Sequence, residues 1–367
     1  MSIPPKSLAA VAVNARATEL REFAIPEIAP DAGLLRIEAT GICGSDWGMY
    51  LNAKPGPRIL GHEMIGTIAK IGDVARERWG VAEGDRVALE EYLPCGHCEY
   101  CRTGEYRSCL ATDAWLPGAI RYGSTPLTVQ PSLWGGYSQY LYMHPRTVIH
   151  RVPAGVPDHI AAMALPIGNG FQWTYLDGEA GPGKTVVIQG PGQQGLGCVI
   201  AAKSVGADCI IISGLARDER RLAVARELGA HHTVMVDREN LADAVKRVTD
   251  GRMADIVVDA SGGGPEIVNA TLPILRKRGR LLIVARKGAI DRFDLDQLIG
   301  KQIRLFGTRG HSFEAVELAL KTMAAGTFPL ERMSSHVVGL RDLDKALRMV
   351  GGESAERSVH ITVAPWS

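Results

Sequence analysis

Four cysteines fall within fifteen residues, Cys95, Cys98, Cys101 and Cys109, spaced Cys-x2-Cys-x2-Cys-x7-Cys. Thiolates this close together suit a tetrahedral metal, zinc foremost. The two-residue spacers let a turn aim neighbouring sulfurs at one ion, and the longer spacer brings the chain back with the fourth. Four protein ligands leave no open position, so such a metal braces a lobe and does no chemistry. The alternatives are a pair of disulfides or an iron–sulfur cluster. The N-terminal residues lack the apolar core of a secretory signal, which argues against an oxidising compartment, and cluster motifs use other spacings.

A second set of candidate ligands precedes the cluster. Gly41-Ile-Cys43-Gly-Ser45-Asp46 carries an isolated cysteine among glycines, and Gly61-His62-Glu63 carries an imidazole after a residue that frees the loop to aim it inward. A Cys and a His joined by a third group, with one position left open, is the ligand pattern of a catalytic zinc. Each residue alone is more often plain core.

A third motif has the pattern of a phosphate-binding turn, the alternative being a glycine-rich turn with no ligand. Gly190-Pro-Gly192-Gln193-Gln194-Gly195 follows an apolar run and opens a helical one, with Gly197 two residues later. In a strand–turn–helix context these glycines permit the tight turn, the approach of a pyrophosphate and close helix–strand packing. The positive end of the helix then faces the phosphates. The ribose 2′ position is read at the end of the second strand, where an acid selects NAD and a base accepts the phosphate of NADP. Here that strand ends in Ser213-Gly214, with Arg217 and Arg221 just beyond, which leans towards NADP. Asp218 serves NAD instead if the loop bends back, and the arginines also fit a solvated helix start.

The elements that must position these groups fall into two rhythms. The first 160 residues break into short strands such as 33–39, 65–71 and 85–90, the pattern of an antiparallel, barrel-like β domain. Residues 111–134 read as a long loop carrying Trp115, Tyr122 and Trp134. From about residue 184, strand-like runs alternate with helical ones, which implies a parallel sheet covered by helices on both faces. Helical patterns return at 312–325 and 342–350. The last apolar alternation, 359–363, is placed to rejoin the first domain. The 367 residues suffice for two substantial cores. With 41 basic and 40 acidic residues and no long basic run, the charge pattern argues against nucleic acid or an anionic membrane as a partner. No apolar run approaches the length that crosses a bilayer. A cytoplasmic, reducing setting is expected, since it suits thiolate ligands.

Taken in order, Gly41–Asp46, Gly61–Glu63, the Cys95–Cys109 cluster, Gly135-Gly-Tyr-Ser-Gln-Tyr140 and Gly190–Gly197 resemble the zinc-dependent medium-chain alcohol dehydrogenases over nearly the whole chain. Pro166-Ile-Gly-Asn169 resembles the sorbitol and threonine dehydrogenase branch. The resemblance implies an α/β protein with a GroES-like β-barrel catalytic domain, residues 1–165 and 310–367. A Rossmann doubly wound parallel-sheet domain, residues 166–309, would be inserted in it. It implies that Cys43, His62 and Glu63 hold a catalytic zinc, with Glu63 either a direct ligand or just behind the metal. Adjacent strand side chains point opposite ways, so joint ligation by His62 and Glu63 needs an irregular backbone. Asp46 would fix the tautomer of His62, and Ser45 would accept the alcohol proton. Cys95, Cys98, Cys101 and Cys109 would hold a structural zinc. Gly190, Gly192, Gln193, Gln194, Gly195, Ser213, Gly214 and Arg217 would bind NAD(P). The expected chemistry lowers the pKa of an alcohol, whose hydride passes to C4 of the nicotinamide. Relatives form homodimers or homotetramers.

Two departures stand out. The residue before Pro166 is Leu165, where the polyol branch has Glu, so that segment supplies no ligand or water contact. The position three after Ser45 is Gly48, where the family's proton relay often ends in His. Proton escape must then use another group, such as Tyr50, or water directly. Trp47, Trp115, Trp134 and Phe171 could together line an apolar pocket for a hydrophobic secondary alcohol. The competing functions are a zinc-independent enone or quinone reductase, and a nucleotide-binding protein of this fold without catalysis. Cys43, His62 and the cluster argue against the first.

Overall fold

The computed structural model describes residues 3–52 and 56–367; residues 1, 2 and 53–55 of the expected first domain lie outside the described residues. Ahead of the glycine-rich turn come β1 (Lys6–Asn14), β2 (Ala17–Ala24), β3 (Gly33–Gly41), β4 (Arg58–Ile59), β5 (Glu63–Ile71), β6 (Arg86–Leu89), β7 (Tyr140–Met143) and β8 (Ile149–Arg151). The turn follows β9 (Thr185–Gln189), and the run continues with β10 (Cys209–Gly214), β11 (His232–Met235), β12 (Ala254–Asp259), β13 (Leu275–Ile283) and β14 (Arg304–Gly307). β15 (Ser334–Val338) and β16 (His360–Val363) close the chain.

The chain divides into two compact units, one of residues 1–165 with 334–367 and one of 166–333. In the first unit, β2-β1-β4 form a small sheet, and β15-β16-β3-β5-β6-β8 form a larger one with β7 also paired to β3. All these pairings are antiparallel except β15 with β16. The strands expected at 33–39, 65–71 and 85–90 are β3, β5 and β6. The register matters for the site: Gly41, the last residue of β3, lies opposite Glu63 of β5 on one side and Thr362 of β16 on the other. One core packs Leu35, Ile37, Met64 and Trp134 beneath the large sheet. A second packs Ile42, Tyr50 and Leu60 against Leu343 and Leu347 of the C-terminal helix Leu343–Val350.

The second unit is one parallel sheet in the order β11-β10-β9-β12-β13-β14. Every residue of β9 and β12 is buried, as expected when helices cover both faces. Counted from β9, the order is 3-2-1-4-5-6, that of a dinucleotide-binding fold. It reverses between β9 and β12, so the ligand crevice belongs at the carboxyl ends of those strands.

The end of the second unit departs from expectation. The chain returns to the first unit at Ser334, not near residue 310. Hydrogen bonds explain the difference. Trp173 Nε1 donates to Gly310 O (3.0 Å), Ser312 N to Gln172 Oε1 (3.0 Å), and the His311 and Asn169 side chains meet at 3.0 Å. These bonds tie the start of helix Phe313–Ala325 to the segment 169–173 of the second unit. The helical period at 312–325 was legible, but its polar anchors were not.

Candidate metal centres and cofactor cleft

Among the described residues, two groups of side chains converge as metal donors, and both were expected. Cys43, His62 and Glu63 each offer one donor atom, and these atoms all lie within 4.8 Å of one another. Donors around a tetrahedral zinc sit about 3.3–3.8 Å apart, so small side-chain movements complete the set. Cys43 is the N-cap of helix Gly44–Leu51. His62 precedes β5 and Glu63 begins it. Gly61, with φ +88° and the Tyr137 ring against it, supplies the irregular backbone that joint ligation requires.

Asp46 is fully buried and organises the cluster. Its Oδ1 lies 3.3 Å from His62 Nδ1, leaving Nε2 for a metal. Its Oδ2 accepts from Cys43 N (3.0 Å) and from the Tyr137 hydroxyl (2.8 Å). Ser45 is exposed, with Oγ 3.5 Å from His62 Nε2. The electrostatics suit a cation. Burial pushes the Glu63 carboxyl up to about 7 against the pull of His62, and burial also raises the Cys43 thiol. Burial disfavours both anionic forms, and a positive charge bound between them would favour those forms again.

The second group is Cys95, Cys98, Cys101 and Cys109, whose donors lie within the same distance limit. Cys98 Sγ is 3.5 Å and Cys95 Sγ 3.9 Å from Cys101 Sγ. Disulfides need about 2.0 Å, whereas zinc–sulfur bonds of about 2.3 Å place tetrahedral sulfurs about 3.8 Å apart. The paired-disulfide alternative therefore fails. Backbone N–H groups of His97 and Cys98 bring the Cys95 thiol down to about 6, favouring the thiolate. The remaining cysteines, Cys198 and Cys209, lie in the second unit and join neither group.

In the second unit, a cavity of about 800 Å³ opens at the carboxyl ends of β9, β10 and β12. Gly190, Gly192, Ser213, Gly214 and Arg217 line it. Gly190 has φ +96°, which fixes the tight turn. A Cβ on Gly195 would sit 1.9 Å from Gly190 O, whereas one on Gly192 meets nothing within 4 Å. Gly195 thus permits the helix to pack on the turn, and open space remains at the helix N-cap for a pyrophosphate. The residues present fit a dinucleotide. Gln193 and Gln194 start the helix; Gln194 Oε1 accepts from Asn169 Nδ2 (3.1 Å). Asp218 also lines the cavity, and it accepts from Leu215 N (3.0 Å) within its own turn.

Other candidates were placed differently. Trp134 is core, stacked among Tyr122, Tyr142 and His144, and Trp115 is 61% exposed. Trp47 lies against Gly351, so an aromatic pocket is not assembled from these three. Aromatic spacing in a loop carries no information about which rings converge. Tyr50 is buried with its hydroxyl 2.7 Å from Asp344 Oδ2 and 2.9 Å from Arg16 O, which removes it as a relay end. Beside Gly48 the space is open. Three residues went unnoticed in the sequence. Tyr137 lies within Gly135–Tyr140, where the sequence alone assigns it no role. Lys287, whose Nζ donates to Asp259 Oδ1 and Ser261 Oγ (both 3.0 Å) at the cleft, and His360, beside Glu63, carried no local signal.

Residues 29–154 match the alcohol dehydrogenase GroES-like domain family and residues 195–325 match the zinc-binding dehydrogenase family. The chain is 34% identical over 340 residues to a probable alcohol dehydrogenase of Mycobacterium tuberculosis, covering 91% of each protein. It is 31% identical over 289 residues to sorbitol dehydrogenase of Bacillus subtilis, covering 77% of this chain and 76% of that one. Among solved structures, an alcohol dehydrogenase of Thermotoga maritima superposes with TM-score 0.85 at 25% identity, over 98% of this chain and 99% of that one. The chain belongs to the zinc-dependent medium-chain alcohol dehydrogenases, with a GroES-like half and a Rossmann half. It is an NAD(P)-dependent, zinc-containing oxidoreductase acting on alcohols. Among the described residues, no helix is long and apolar enough to cross a membrane.

Proposed function

We propose that the chain oxidises a secondary alcohol at Cys43, His62 and Glu63, with the first unit as the catalytic domain and NADP+ as the preferred acceptor. The observation that carries this reading is the convergence of those three donors beside a buried Asp46 that already orients His62. A zinc held there supplies Lewis acidity towards the alcohol oxygen. Ser45, exposed and near His62 Nε2, takes the alcohol proton. It passes the proton to water in the open space beside Gly48. Cys95, Cys98, Cys101 and Cys109 hold a second zinc that braces their lobe.

Gly190, Gly192, Gln193, Gln194 and Gly195 hold the pyrophosphate on the helix N-terminus. Ser213 and Gly214 leave the ribose 2′ position without an acid. Asp218 is committed to its turn, and Arg217 and Arg221 line the cleft, which supports recognition of a 2′-phosphate. The sorbitol dehydrogenase relative favours a polyol-like substrate over a bulky apolar one, in keeping with the dispersal of the aromatic rings. The exposed outer strand β14 supports a homo-oligomer, and the free thiolate cluster supports a cytoplasmic setting. The test is NAD+ and NADP+ reduction across secondary alcohols, with sorbitol included. Turnover that favours NADP+ is expected, and no turnover on any alcohol by zinc-loaded protein contradicts the reading.

A further inference from the structure

His360 is the first residue of β16 and is 1% exposed. Its Nε2 is buried without a hydrogen-bond partner and lies 4.0 Å from Glu63 Oε2. Its other ring nitrogen, Nδ1, is 3.4 Å from the Thr362 hydroxyl, which can donate to it or accept from it. When the hydroxyl donates, the imidazole carries its proton on Nε2. In that tautomer the N–H points into the space beside the Glu63 carboxyl group.

That space exists because of Gly41. The register sets Gly41 between Glu63 and Thr362. A Cβ there would sit 2.6 Å from Glu63 Oε2 and 2.7 Å from His360 Nε2, so any side chain would wedge the two apart. The gap is too long for a hydrogen bond, but a carboxylate movement of about 1 Å closes it to an ordinary N–H···O distance. A buried N–H with no acceptor is costly, and the Glu63 carboxyl group lies 4.0 Å away.

We propose that His360 is the positioning residue for Glu63, donating Nε2–H across the Gly41 gap so that one carboxylate oxygen is held while the other is presented to the metal. The proposal rests on the reading of Glu63 as a zinc ligand. Second partners of this kind fix the orientation of a ligating group.

The test uses full-length, zinc-loaded protein and follows zinc release to a chromophoric chelator, with the visible spectrum of the cobalt-substituted protein as a second readout. The variants are His360→Ala, His360→Gln, Glu63→Ala and the Ala–Ala double variant. Each is expected to keep its slow-releasing zinc, which reports that the first unit is folded. His360→Ala is expected to speed release of the other zinc on the order of tenfold and to shift the cobalt spectrum. His360→Gln, which keeps a donor, should fall between it and wild type. In the Glu63→Ala background, removing His360 should change nothing further. If Glu63→Ala speeds release but His360→Ala does not, the positioning role is wrong and Glu63 remains a ligand. Equal acceleration by His360→Ala in both backgrounds also overturns it. If Glu63→Ala itself leaves release unchanged, the reading of Glu63 as a ligand fails instead.

Discussion

Asp46 Oδ1 lies 3.3 Å from His62 Nδ1, while Asp46 Oδ2 accepts from Cys43 N and the Tyr137 hydroxyl. One carboxylate thus orients two candidate ligands. Asp46→Asn keeps the shape but loses the charge and one acceptor. It should weaken zinc affinity at this site about 10- to 100-fold while sparing the cysteine cluster. Metal titration monitored by competition with a chelator measures both.

The two metal sites should separate under mild chelation. The cysteine cluster offers four thiolates. The other site offers three donors, and Leu165, buried and apolar, adds none from the segment before Pro166. Zinc content is expected to fall from two per chain to one, with the cluster zinc retained. Elemental analysis after dialysis against chelator checks this; full retention of both contradicts the three-ligand account.

Arg217→Ala should lower kcat/KM for NADP+ by about 10- to 100-fold, the worth of a hydrogen bond to a charged group. The value for NAD+ should hardly move, because the substitution removes a phosphate contact and no ribose contact. Steady-state kinetics with both cofactors measures the ratio, and equal losses would place Arg217 outside the 2′ site.

Acid should weaken the first unit through His144. Its ring stacks on Trp134 and Tyr142, and burial, with Arg146 adding to it, pushes its pKa down to about 4. The unfolded chain protonates near 6.5. The neutral form therefore contributes stability in full above pH 6.5. That contribution is lost as pH falls from 6.5 through 4. His144→Gln should flatten the dependence of Tm on pH within that window. An unchanged slope would show that other groups control it.

How much of this was legible depended on whether the signal was local. The cysteine spacing, Gly190–Gly195 and the βαβ alternation are local, since each is set by turn geometry or a strand and helix period, and each corresponds to an element of the structure. Cys43 and His62 were readable because each stands in a short glycine-flanked motif. The partners of those motifs were not readable. His360 reaches Glu63 through the pairing of β16, β3 and β5, and Tyr137, in the segment before β7, reaches Asp46 from 91 residues away. Trp115 and Trp134 illustrate the converse: near each other in the sequence, they end on the surface and in the core. The boundary at residue 334 was hidden for the same reason, because side-chain bonds of Trp173, Gln172 and Asn169 decide where helix Phe313–Ala325 belongs.

The central claim is that an alcohol is activated at Cys43, His62 and Glu63. The most direct test compares wild type and Cys43→Ala for NADP+ reduction across secondary alcohols, with zinc counted in the same samples. Wild type should carry two zincs and turn over at least one alcohol. Cys43→Ala should keep the cluster zinc and lose activity on the order of 10³-fold. A Cys43→Ala protein that keeps both zincs and wild-type turnover would contradict the account.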